Sequence, residues 1–519
     1  MWLDSILDRH ATRRPDAPAL RDIRRTVSWG ELRAETAALA AALRERVRPG
    51  AAVAVLSGNR VEVIETYLAC AIAGVVAVPV NPNLTDAEIA FILDAVGPVL
   101  AAADAAGRGR LAAGYPHLAT LAIEQVPALP APAGVPDART DLGAPVLILH
   151  TSATTGRPKG VVVDQRSLKA NAYSWSQDVG PAPGTVFLNA GPLFHGSVVI
   201  ALDYLAAGAT VCVLDRFTPQ ACIAAVETWR VEQAFLVPSM VQLLLDARGL
   251  ADADLGSLSL LLHGAAPMPA RLAAQVQDRL GVRLHTVYGI TEGGGPAISL
   301  GPDDKPAAPP VPGATCAGRP MAGVALRITD EQGSPMPPGE LGEIRLCGDG
   351  LMHGYLNNPA ATAAVLADGW LNTLDIGLRD DDGYVWIVDR RNDLILRGGQ
   401  NVYPAEIEEV LRRSPRVADV AVVPAPSDTW GQTPVAFVVV TGGAGGSVEA
   451  SESELAAELA ALCVERLASY KRPSRFVPID TIPRNPSGKV LRTVLRERAE
   501  QPHAAGRPAA ATPKGAEQR

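Results

Sequence analysis

Apolar and polar positions change period repeatedly along this chain, and the changes outline its elements. Residues 28 to 48, SWGELRAETAALAAALRERVR, carry apolar groups at helical spacing and stop at Pro49-Gly50, which predicts an amphipathic helix with a defined end. The apolar run AAVAVLS at 51 to 57 predicts a buried strand, 61 to 73 a helix and VVAVPV at 75 to 80 a second strand. Strands alternating with helices predict a parallel, helix-covered sheet. Residues 104 to 144, with their Ala, Pro and Gly, read as a loosely specified connection to a further strand, VLILH, at 146 to 150. Near the other end, helices are expected near 404 to 413 and 452 to 468, and strands near 417 to 424 and 434 to 440. From about Ala499 the chain is rich in Ala, Pro, Gly and charge and reads as a disordered tail.

A chain of 519 residues is too long for one ordinary domain. The division is expected at a charged turn, Asp389-Arg390-Arg391-Asn392-Asp393, which leads into the apolar run Leu394 to Leu396, the pair Gly398-Gly399, and Pro404 at a helix start. The expected boundaries are 1–389 for a large N-terminal domain, 390–393 for a hinge, 394–498 for a small C-terminal domain and 499–519 for the tail.

Composition narrows the class. With 48% hydrophobic and 20% charged residues the chain reads as soluble and globular, and a net charge of -8 argues against a general nucleic-acid binder. Six cysteines without CxxC spacing or a neighbouring histidine pair suggest neither a zinc site nor a disulfide framework, so a reducing cytoplasm is expected. The charged N-terminal stretch MWLDSILDRHATRRPD does not read as a signal peptide. No window approaches the roughly 20 apolar residues of a membrane span. Of 47 basic residues only six are lysine, at 159, 169, 305, 471, 489 and 514. In so arginine-biased a chain, a retained lysine points to a need for a compact ammonium, although chance survival accounts for those at 169, 305 and 514.

Directly after VLILH comes TSATTGRPKG, in which Thr151, Ser152, Thr154, Thr155, Gly156 and Lys159 make a plausible phosphate cradle. Hydroxyls and backbone N–H groups donate to phosphate oxygens, and the lysine neutralises charge. A polar turn between strands would account for the glycines but poorly for the lysine. The spacing is not that of a Walker A loop.

TSATTGRPKG resembles the phosphate-binding signature of the adenylate-forming superfamily, which includes acyl- and aryl-CoA synthetases, peptide-synthetase adenylation domains and luciferases. The superfamily's other signatures follow in order: GPLFHGS at 191 to 197, HGAAPM at 263 to 268, YGITE at 288 to 292, GELGEI at 339 to 344, GYLNNPAAT at 354 to 362, GWLNTLD at 369 to 375, the DRRNDLILRGGQNVYPAEIE stretch, and PRNPSGK at 483 to 489. The similarity covers roughly residues 20 to 498. It implies an α/β fold, with a large domain of mainly parallel sheets plus a smaller barrel-like part, hinged to a small mobile α+β domain. It also implies an ATP-dependent acid–CoA ligase using Mg2+ and CoA, acting as monomer or homodimer.

Activating a carboxylate with ATP is mainly a matter of positioning and charge neutralisation. Glu292 is the expected Mg2+ ligand, since a carboxylate beside phosphates is the usual protein contribution. By resemblance, Tyr288 stacks on adenine with Gly289 and Thr291 beside it, while Gly264, Ala265 and Ala266 run along the base. Asp375 accepts from the ribose hydroxyls and Arg390 donates to them. Lys489 bridges the substrate carboxylate and the α-phosphate, which stabilises developing charge. The small domain then swings about the hinge and brings Gly398 and Gly399 toward the pantetheine arm of CoA. Lys471 is either structural or helps to place this domain.

His195 follows Phe194, where domains that activate α-amino acids usually carry an aspartate, so the resemblance favours an acid without an α-ammonium group. His195 either lines the acid pocket or is a buried core histidine. Gly293 to Gly295 either leave room for a bulky acid or form a flexible turn. Ala153, Leu374 and Asp389 stand where the family usually has glycine. These departures leave open an acceptor other than CoA, either a separate carrier-protein thiol or an amine.

Overall fold

The computed structural model describes residues 2–130, 141–151, 158–390, 393–398, 400–427, 429–441, 448–485 and 488–500. The chain divides into two compact units, residues 1–392 together with 484–489, and residues 393–483 together with 490–519.

In the larger unit the first amphipathic pattern is the helix Trp29–Arg46. Ser28 starts it with a capping box: its hydroxyl accepts from the Glu31 N–H, and the Glu31 carboxylate accepts from the Ser28 N–H. The next helix, Val61–Ala73, is buried on every face and ends at Gly74, whose φ of 73° is left-handed. It packs against a seven-stranded sheet in the order 354–355, 160–164, 145–150, 76–80, 52–56, 100–103, 119–122. From 145–150 to 119–122 the strands are parallel, as the alternation predicts.

A second, fourteen-stranded sheet holds a parallel block made of 283–290, 260–263, 233–235, 186–189, 210–213 and 18–21. Beyond it the strands 295–300, 315–320, 385–390, 370–379, 342–347 and 325–329 are antiparallel. The part expected to be barrel-like falls on these strands, whose ladder is continuous with the parallel block.

Residues 104 to 144 correct one expectation. Their described part contains a helix, Ala105–Gly114, capped by Asp104, then a strand, Ala119–Ala122, and a 3-10 turn, Ile123–Ala128. Glycine lowers helix propensity, yet Gly107 is demanded by packing, because a Cβ there would overlap the Leu56 carbonyl oxygen.

The smaller unit is a sheet in the order 400–402, 395–397, 431–440, 417–427, with 475–478 pairing parallel to 431–440. Val420 and Val422 face one core with Ile407, Leu411 and Leu459. Ala421 and Val423 face another with Phe437, Leu495 and Ala499. Both faces of the strand are covered, so its sequence is apolar without alternation. The last helix, Arg492–Glu500, keeps Leu495 and Ala499 buried, and so takes in the first two residues of the expected tail. It also anchors the first residue of this unit, since Arg496 donates to Asp393 at 2.7 Å.

His263 and His285 sit on adjacent parallel strands, where Leu262 pairs with His285 and His263 with Thr286. Both are buried, the His263 Nδ1 and His285 Nε2 atoms have no hydrogen-bond partner, and burial lowers each imidazole to about 4. Below an unfolded value of about 6.5 the unfolded chain takes up protons that the folded state refuses, so stability is full above that pH and is lost toward pH 4. Each such histidine costs about 2 kcal/mol between about pH 7.5 and pH 5. His285→Leu is expected to shrink the drop in melting temperature over this interval. An undiminished drop would show that His285 titrates normally.

Candidate active site

Four of the family signatures follow the carboxyl ends of strands with parallel neighbours in the two sheets, the end at which open α/β sheets bind ligands. Thr151 follows strand Pro145–His150, the segment Gly191 to Ser197 follows Val186–Asn189, Gly264 to Ala266 follow Leu260–His263, and Glu292 follows Arg283–Ile290. Ser152, Ala153, Thr154, Thr155, Gly156 and Gly399 lie outside the described residues.

In the HGAAPM signature, Gly264 is buried, and a Cβ on it would overlap the Val287 carbonyl oxygen. Ala265 beside it is left-handed, at φ 64°. Gly289 likewise has no room for a side chain, because a Cβ would overlap the Gly295 carbonyl. Tyr288 donates its hydroxyl to Asp375 Oδ2, which brings together two residues 87 positions apart. Asp375 is 3% exposed. It is directly paired with Arg390 across the antiparallel ladder.

A bulge sets the direction of Asp375. Residues 345 to 343 of the neighbouring strand face residues 372 to 376 of this one, so two extra residues are accommodated. Leu374 takes up the bend with a φ of 60°. The left-handed region is where the family's glycine would be unstrained, and leucine there costs about 1 kcal/mol or more. Asn372 Oδ1 accepts from the Leu374 N–H at 2.9 Å, and Thr373 Oγ1 accepts from the Asp375 N–H at 3.2 Å. Asp389 is different: it lies within the strand Val385–Arg390, opposite Ile376, and has no positive φ. That departure from glycine strains nothing.

In the YGITE signature, Glu292 Oε1 accepts from the Tyr355 hydroxyl at 2.8 Å. The ammonium of Lys159 stands 4.9 Å from the centre of the Tyr355 ring. Among the described residues the other Glu292 oxygen accepts no hydrogen bond, and no group of three or more His, Cys, Asp or Glu could hold a metal. A single available carboxylate fits Mg2+, which takes one or two carboxylates and completes its shell with phosphates and water. Tyr355 lies inside the GYLNNPAAT signature but was not singled out there. Its tie to Glu292 depends on pairing between distant segments, which no local pattern reveals.

His195 packs its ring edge-on to Phe194, with 5.0 Å between centroids. Burial lowers it to about 4, and His150, also lowered to about 4 by burial, lies close enough to feel its charge. Both imidazoles are therefore neutral at neutral pH. Gly294 and Gly295 do not provide spare room: a Cβ on Gly294 would overlap the Gly350 carbonyl and Ser167 Oγ, and one on Gly295 would press on Asn171, whereas one on Gly293 would meet only the Ile290 side chain at an ordinary 3.7 Å.

In the segment 484–489, Asn485 Oδ1 accepts from the Lys489 N–H at 2.8 Å, and the Lys489 carbonyl accepts from the Asn485 N–H at 2.8 Å. Gly488 is left-handed at φ 80°. Gly398, at φ 56°, donates its N–H to the Trp430 carbonyl at 2.8 Å. Lys471 bonds to Glu406 at 2.8 Å, which gives it a structural partner.

Known proteins resemble this chain over nearly its whole length. The AMP-binding enzyme family matches residues 7–356 and the AMP-binding enzyme C-terminal domain matches residues 406–489. A feruloyl-CoA synthase of Amycolatopsis sp is 37% identical over 504 residues, covering 94% of this chain and 97% of that one. A fatty acid–[acyl-carrier-protein] ligase of Streptomyces coeruleorubidus is 35% identical over 513 residues, covering 94% and 95%. The structure of o-succinylbenzoate CoA synthetase from Bacillus subtilis with its acyl-adenylate intermediate is 30% identical and superimposes with a TM-score of 0.83, covering 95% of this chain and 97% of that one. The same enzyme has also been seen with ATP and magnesium ion. The chain belongs to the AMP-binding enzyme family, within the adenylate-forming superfamily of acyl- and aryl-CoA ligases.

Proposed function

We propose that this protein is an AMP-forming acid–CoA ligase. A carboxylate oxygen of the acid attacks the α-phosphorus of ATP, and pyrophosphate leaves with the electron pair of the broken P–O bond. The thiolate of CoA then attacks the acyl carbon, the acyl–oxygen bond breaks, and AMP departs. The observation that carries this reading is the Tyr288–Asp375 hydrogen bond with Arg390 paired opposite, which joins three separate signatures within one sheet.

In this reading Tyr288 and Gly264 to Ala266 hold adenine, Asp375 and Arg390 hold ribose, and Thr151 and Lys159 serve the polyphosphate with the hydroxyls that follow Thr151. Mg2+ held at Glu292 supplies positive charge to the phosphate oxygens. Neutral His195 faces the acid as a hydrogen-bonding wall without charge, which suits a substrate lacking an α-ammonium group. Lys489 serves adenylation, Gly398 and Gly399 serve transfer to CoA, and residues 390–393 form the hinge between the two tasks. No helix among the described residues is long and apolar enough to cross a membrane.

The test is acid-dependent pyrophosphate release and AMP formation over a panel of carboxylic acids, with and without CoA. Thioester and AMP appearing together in the presence of CoA is the expected result. ATP left unconsumed with every acid would overturn the proposal. The carrier-protein ligase among the relatives makes a separate phosphopantetheinylated carrier the alternative acceptor. Adenylate that accumulates, ignores CoA and discharges onto such a carrier would establish it.

A further inference from the structure

Residues 352 to 356 tie together two signatures distant from them in sequence. The Met352 N–H donates to the Glu292 carbonyl at 2.9 Å, and the Tyr355 hydroxyl donates to the Glu292 carboxylate at 2.8 Å. On the other side, the His353 N–H donates to the Val162 carbonyl at 2.9 Å and the Leu356 N–H to the Gly160 carbonyl at 2.7 Å. Tyr355 itself pairs with Val161 in the antiparallel ladder. Val161 and Gly160 begin the strand that leaves the phosphate loop, immediately after Lys159. One short segment thus clamps the Glu292 turn to the exit of that loop, and its tyrosine reaches the charged group of each.

We infer that Tyr355 is a positioning residue that sets the Glu292 carboxylate and the Lys159 ammonium as one unit for the metal-bound polyphosphate. The inference rests on the ligase reading above. Tyr355 is 8% exposed, so its ring is held by packing while only its polar tip and one face meet charged groups. A glutamate side chain has three rotatable bonds, and a fixed donor on one oxygen selects the rotamer that presents the other. Lys159 is exposed and flexible, and a ring face 4.9 Å away lies within cation–π range. A tyrosine meets both demands with one side chain. Phenylalanine would meet only the second, and leucine neither.

The test uses the full-length protein and ATP without acid, so that binding is read in the absence of turnover. Calorimetric ATP titrations at a series of Mg2+ concentrations are compared for wild type, Tyr355→Phe, Tyr355→Leu, Glu292→Gln and the double variant carrying Glu292→Gln and Tyr355→Phe. Tyr355→Phe is expected to raise the Mg2+ concentration for half-maximal ATP binding about 5- to 20-fold, with an unchanged melting temperature. On the Glu292→Gln background the same change should add nothing, because the hydroxyl acts through that carboxylate. Tyr355→Leu should additionally weaken ATP binding at saturating Mg2+. A wild-type Mg2+ dependence in Tyr355→Phe, or full additivity with Glu292→Gln, would overturn the inference and leave the ligase reading standing. Wild-type protein that binds no ATP with Mg2+ would overturn both.

Discussion

Lys489→Ala is expected to lower acid-dependent adenylate formation by about 10²- to 10³-fold, the scale associated with losing one preorganised charge contact to a transition state. Transfer to CoA from supplied acyl-adenylate should stay within a few-fold of wild type. The loop itself should survive, since it is closed by the paired bonds between Asn485 and Lys489, which use the Lys489 backbone and not its side chain. Gly488 at φ 80°, with its carbonyl accepting from Arg484 at 3.0 Å, completes the turn. The alanine variant therefore removes an ammonium and leaves its mounting in place. Measuring the two half-reactions separately decides the matter. Equal loss in both would mean that the residue holds the fold and does not serve the first step.

Gly398→Leu should produce the opposite split. Gly398 is left-handed at φ 56°, and an added Cβ would come within 2.7 Å of the Trp430 ring. A leucine must displace that ring and strain the backbone by about 1 kcal/mol. A displacement on the order of 1 Å in a group that positions substrate can cost 10²-fold, and that loss is expected in thioester formation. Pyrophosphate release in the absence of CoA should be nearly unaffected, and the melting temperature should shift by only a few degrees. Unimpaired thioester formation would remove this glycine from the path of the pantetheine arm.

Much of the fold was readable because burial writes itself into local sequence. The helix Val61–Ala73 falls where its apolar run places it, and the strand Pro145–His150 extends VLILH by a single residue. The glycines were harder. Gly107, Gly294 and Gly295 look like signs of looseness, yet each is there because another chain segment occupies the space a side chain would need. Close approach between distant residues leaves no periodic mark.

The same limit applied to the site. Motif order was enough to nominate Tyr288, Asp375, Arg390 and Glu292, while the contacts that hold them run to distant residues, Tyr288 to Asp375 over 87 positions and Glu292 to Tyr355 over 63. Leu374 lies between these cases. A missing glycine signalled strain, but only the two-residue bulge explains why a left-handed residue is needed at that point.

The packing of Gly294 and Gly295 against Asn171 and Gly350 also bears on redesign. Varying these glycines to reshape acid preference would first disturb the turn itself, because an added Cβ on Gly294 meets the Gly350 carbonyl and one on Gly295 presses on the buried Asn171 amide. Substrate scope has to be sought at walls with slack, and this turn is a keystone.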